Sequence, residues 1–92
     1  MLREQLDEID SQIVDLFQKR MDICVKVGEY KLSVGKQVLD RTREQEKIRS
    51  VTEGVTDELY KKGVAELFEQ IMSTSRAVQQ RLIDNSSSEV EK

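Results

Sequence analysis

The sequence predicts an all-α fold with three helices per subunit, the first of them unusually long, and three observations carry that prediction. There is no proline in the 92 residues, so nothing forces a break in a helix. Charged residues make up 36% of the chain, tryptophan is absent, and phenylalanine and tyrosine occur only twice each, a composition poor in residues suited to pleated pairing. Apolar residues return every three or four positions over long stretches, the period of one buried helix face.

The first helix is predicted from Leu2 to about Ser33. Its stripe is Leu2, Leu6, Ile9, Ile13, Leu16 or Phe17, Cys24 and Val27, regular apart from a gap at position 20. Gly28 lies inside it at a cost of roughly 1 kcal/mol relative to alanine, which points to close helix packing there, while Gly35 is placed to end it. Lys36-Gln37-Val38-Leu39 reads as a short connector. The second helix is predicted to start near Asp40, a good N-cap type, and to run through Arg41-Thr42-Arg43-Glu44 to about Glu53, before Gly54. The third begins between Thr56 and Val64, the range being set by Gly63. Its stripe of Val64, Leu67, Phe68, Ile71, Ser75, Val78 and Leu82 carries it to about Ile83. Residues 1–84 are thus expected to form one helical domain, and the polar stretch 85–92 a disordered tail. No internal repeat is present.

A first helix of this length would be ~48 Å long, whereas a compact domain of 92 residues has a radius of gyration of about 12 Å. One subunit cannot wrap it. A second copy along the exposed part of the stripe is the simplest cover, so a two-fold homodimer is expected.

Bulk properties then exclude several classes of function. A net charge of −3, with basic residues mixed among acidic ones, gives no electrostatic reason to expect a nucleic-acid partner. With a single cysteine, Cys24, and no histidine there is no intramolecular disulfide, no Cys/His metal set and no histidine general base. No metal or other cofactor is expected. The chain opens in helical pattern and has no apolar run long enough for a signal peptide or a membrane span, so a cytoplasmic location is expected.

The gap in the first stripe is where chemistry enters. Continuing past Phe17, the stripe calls on positions 20, 24, 27 and 31, which places Arg20 and Lys31 among core-facing apolar residues. They lie about 20° apart in azimuth and ~16 Å apart along the axis, within reach of one ligand for two long side chains. Two readings stay open on periodicity alone. Each cation snorkels or pairs with a carboxylate, the commoner outcome, or the two converge on a small anion. Asp40, Arg43, Glu44 and Lys47 share one face of the second helix, a pattern that is most often a solvated ion-pair stripe. Ser75 and Gln79 sit one turn apart on or beside the third stripe, where a polar pair serves equally as a core hydrogen bond or a ligand contact. Cys24 reads as a small hydrophobe, and Tyr30 and Tyr60 have no pattern that singles them out. Arg3 lies ~26 Å along the axis from Arg20 and about 100° round from it, so it cannot reach the same ligand from the same helix. In an antiparallel dimer it could arrive from the partner.

Together, Leu2-Arg3, Leu6-Asp7, Ile9-Asp10, Arg20, Val27-Gly28 with Lys31, Asp40 with Arg43-Glu44, and Ser75 with Gln79 resemble the all-helical chorismate mutase family. The resemblance spans residues 2 to about 82, with each polar position the family uses around its ligand filled by the expected residue type. Gly54 to Gly63 is less typical.

The resemblance implies an intertwined homodimer of three-helix subunits that converts chorismate, a dicarboxylate with an enolpyruvyl ether, to prephenate on the route to phenylalanine and tyrosine. The reaction is a unimolecular [3,3] shift and needs no nucleophile, metal or cofactor. By carry-over, Arg20 and the partner's Arg3 clamp the two carboxylates, Lys31 and Gln79 donate to the ether oxygen, and Lys31 also touches a carboxylate. Glu44 accepts from the ring hydroxyl, Asp40 and Arg43 support that wall, and Ser75 contacts a carboxylate. The resemblance leaves room for a partner enzyme of aromatic biosynthesis. Two rivals remain: an isochorismate pyruvate lyase, which shares much of the cationic site but which Asp40 and Glu44 disfavour, and a non-catalytic helical interaction module.

Overall fold

A computed structural model of the chain describes residues 1–36 and 40–90, and for 86–90 the backbone alone. The described residues form three helices and no strand: α1 (Leu2–Val34), α2 (Arg41–Thr52) and α3 (Glu58–Val90). The all-α prediction holds. Residues 37–39 of the expected connector lie outside the described residues.

The helix ends follow local chemistry. At the close of α1, Gly35 takes the left-handed conformation at φ 72°. Its N–H donates to Leu32 O and that of Lys36 to Lys31 O, so two otherwise orphaned carbonyls are satisfied in a Schellman arrangement. Asp40 caps α2 through Oδ1, which accepts from Arg43 N at 3.0 Å. The start of α3 is fixed by Asp57, whose Oδ1 accepts from Leu59 N and Tyr60 N at 2.9 and 3.1 Å. Gly63, which left that start open in the sequence, lies inside the helix. At the other end the backbone stays helical to Val90, past the expected end near Ile83 and across the expected boundary at residue 84. With neither proline nor glycine after Gly63, lengthening a formed helix is cheap, and serine and asparagine disfavour each added residue only slightly.

Helix α3 is the centre of the fold, packing on α1 along one side and on α2 along another, while α1 and α2 make no close backbone approach among the described residues. Met21 of α1 and Met72 of α3 form the buried apolar centre. Gly28 is buried against α3, where an added Cβ would stand 3.0 Å from Gln79 Cγ and 3.2 Å from Leu82 Cδ2, so the close packing expected at this glycine is present.

Among the described residues, none covers the N-terminal half of α1. Leu2, Leu6, Ile9, Ile13 and Leu16 are all at least half exposed, from 51% at Ile9 to 78% at Leu2. The radius of gyration is accordingly 16.4 Å, well above the value of about 12 Å for a compact chain of this length. Among the described residues no helix is long and apolar enough to cross a membrane.

Candidate active site

The C-terminal half of α1, the face of α2 that follows its N-cap, and the middle of α3 enclose a cleft of about 280 Å³. Helix α1 contributes Arg20, Cys24, Val27 and Lys31, the positions at which its stripe passes from apolar to charged. From α2 and its cap come Asp40, Arg43, Glu44 and Lys47. Helix α3 adds Met72, Ser75, Arg76 and Gln79. The structure therefore gathers seven of the eight residues singled out in the sequence. The eighth, Arg3, lies exposed in the first turn of α1, away from this cleft.

A hydrogen-bonded knot seats Arg20. Its Nη1 donates to Ser75 Oγ at 3.0 Å, and the Ser75 hydroxyl in turn donates to Ile71 O at 3.0 Å. Cys24 joins the same knot, with Sγ 3.2 Å from Ser75 Oγ and 3.7 Å from Arg20 Nη1. Cys24 is therefore more than the small hydrophobe expected from its place in the stripe, since its thiol fills the angle between the two polar side chains. Serine at 75 suits the interior of a helix because its hydroxyl returns to the carbonyl one turn back.

Gln79 is buried, and its Nε2 donates to the backbone carbonyl of Cys24 at 2.9 Å. A carboxamide nitrogen carries two hydrogens, so this bond fixes the side chain while leaving a second donor at the cleft. Gly28 makes the approach possible, because any side chain there would press on the methylenes of Gln79. Lys31, half-buried, stands on α1 one turn beyond Val27, on the same wall.

On the opposite wall, Glu44 is half-buried and ion-paired with Arg76 of α3. Asp40 has one carboxylate oxygen engaged in the α2 cap, which ties the backbone of Arg43 to the rim of the cleft. Among the described residues lining the cleft there are five cations, Arg20, Lys31, Arg43, Lys47 and Arg76, against two carboxylates, Asp40 and Glu44. A chain with a net charge of −3 thus concentrates positive charge in its cleft, as a small dianionic ligand requires.

Arg76 was not singled out by the sequence. It stands next to Ser75 but off the apolar stripe, and its partner on α2 is 32 positions away, a relation that helical spacing cannot display.

A model of the chorismate mutase type II family matches residues 2–80, well over half of the chain. No curated protein and no solved structure matched it.

Proposed function

Since the chain belongs to the chorismate mutase type II family, and with it to the isomerases, we propose that this cleft catalyses the unimolecular [3,3] rearrangement of chorismate to prephenate. The observation that carries the reading is the convergence of Arg20, Lys31, Glu44 and Gln79 from three helices on one cleft of about 280 Å³.

The rearrangement breaks an ether C–O bond as a C–C bond forms in a six-membered, chair-like array. Catalysis then rests on holding the folded conformer and on stabilising negative charge growing on the ether oxygen. Arg20, seated by Ser75, offers a guanidinium fork for one carboxylate, with orientation as well as charge. The partner's Arg3 serves the other. Lys31 and the remaining donor of Gln79 face the ether oxygen, and Lys31 also touches a carboxylate. Glu44 accepts from the ring hydroxyl, with Asp40 and Arg43 supporting that wall.

Ser75 was expected to contact a carboxylate. Its hydroxyl proton is engaged with Ile71 O, so that contact requires the hydroxyl to turn, and the role that its hydrogen bonds support best is seating Arg20.

The assembly in this reading is an intertwined homodimer with two equivalent sites, since the uncovered stripe at the start of α1 needs a second copy and the site needs a second arginine. The enzyme would act in the cytoplasm, on the route to phenylalanine and tyrosine.

Incubating the purified protein with chorismate and, separately, with isochorismate tests the proposal by product identification. Prephenate from chorismate is expected. Pyruvate released from isochorismate, without prephenate from chorismate, would replace the mutase by a lyase.

A further inference from the structure

We propose that Arg76 is a positioning residue for Glu44, an inference that rests on the mutase reading above. Arg76 belongs to α3, between Ser75 and Gln79, and its Nη1 pairs with Glu44 Oε1 on α2, both residues lining the cleft. The pair ties the N-terminal half of α2 to the helix that carries Ser75 and Gln79. That half of α2 needs a tie: the helix has 12 residues, it approaches α3 and not α1, and its one buried residue, Thr52, lies at the far end.

The chemistry of Glu44 in this site is to accept a hydrogen bond from a neutral hydroxyl on a substrate that is itself a dianion. A carboxylate beside two other carboxylates is repelled, and one free to rotate presents its oxygens to water instead. Arg76 meets both difficulties. It places a positive charge beside Glu44, and by engaging Oε1 it restrains the carboxylate while leaving Oε2 to accept. Lys47 lies one turn along α2 and lines the same cleft, but among the described residues the ion pair of Glu44 is with Arg76.

An ordinary surface ion pair is the alternative. The two side chains are 37% and 24% exposed, so the pair is partly screened and contributes little to stability. Neither role predicts a large change in stability, so activity separates the two.

The test is a double-substitution cycle on the full chain with chorismate as substrate, reading kcat/KM together with helicity and the urea midpoint. Arg76→Ala is expected to lower kcat/KM by about tenfold or more with little change in the urea midpoint, because a misplaced contact is costly to orientation. In a Glu44→Gln background the same change is expected to cost less than about twofold, since the residue it positions no longer carries the charge it pairs with. Arg76→Lys should recover part of the loss, and it serves as the probe should Arg76→Ala fail to fold. Unchanged kcat/KM in Arg76→Ala, or an equal loss with and without Glu44→Gln, overturns the positioning role. A wild-type chain that makes no prephenate overturns the mutase reading and this inference with it, whereas an active wild type that tolerates Arg76→Ala overturns this inference alone.

Discussion

Gly28 and Gln79 meet where α1 packs on α3 beside the cleft: a Cβ on the glycine would lie 3.0 Å from the Cγ of the glutamine, which is itself held by the Cys24 carbonyl. The glycine therefore sets where the amide donor stands. Alanine at 28 would gain roughly 1 kcal/mol of helix propensity and lose a comparable amount by overpacking. Gly28→Ala is accordingly expected to move the unfolding midpoint little, while displacing Gln79 by a few tenths of an ångström and lowering kcat by about tenfold. Urea melts and steady-state kinetics on one preparation check this. A variant with full activity would show that the glutamine is not placed by this contact.

Lys31 offers a sharper separation of catalysis from folding. It lies half-buried on the cleft wall, and Met21 and Met72, not Lys31, form the apolar centre of the fold. Lys31→Ala is expected to lower kcat by about 10²–10³, the usual cost of removing one donor aimed at developing negative charge. The unfolding midpoint should change little. Near-normal turnover would remove Lys31 from the mechanism. The companion Arg20→Leu and Lys31→Leu variants address the scaffold alternative, because a pure packing module keeps or gains stability when a stripe cation becomes apolar and has no activity to lose.

The chemistry at position 79 predicts a pH signature. An amide does not titrate, so its N–H donates at every moderate pH, and mutase activity is expected to vary little between about pH 5 and 8. Gln79→Glu changes this with a definite sign. A carboxyl donates only when protonated, and the reference value for glutamate is about 4.3. The variant should be most active at the acid end and lose activity as pH rises through its own pKa, by about tenfold per unit beyond it. A pH–rate profile of both proteins checks this, and a flat profile in the variant would show that position 79 does not donate to the reacting oxygen.

These residues also show how far the sequence could be read. The stripe of α1 was legible because helical period forces Arg20 and Lys31 onto the face that packs, and the structure has both on the cleft wall. Gly35 and Asp40 were legible as helix ends because αL geometry and side-chain capping are local. Asp57 is an equally local capping signal for the start of α3, whereas Gly63 says only that the helix is less favoured at that position. The Arg76–Glu44 pair belongs to another class, since it depends on where α2 docks on α3, and no period within either helix encodes that. The thiol of Cys24 is a related case: its stripe position says that it is inside, but only the neighbouring helix says that Ser75 is beside it.

Arg3 gives the most demanding prediction, because it tests the dimer and the site together. The residue is exposed and away from the cleft of its own chain, at the end of α1 whose apolar stripe has no cover. If each site combines Arg20 of one subunit with Arg3 of the other, Arg3→Ala and Arg20→Ala homodimers are both nearly inactive. Unfolding the two variants together and refolding them should restore activity. Half the dimers are then mixed, and in a mixed dimer one site holds both arginines while the other holds neither. The expected recovery is about one quarter of the wild-type rate, from random pairing of a two-fold dimer. The measurement is prephenate formation per subunit before and after co-refolding, with each variant refolded alone as control. No recovery would mean that Arg3 does not cross between subunits, because two defects in the same chain's site cannot complement.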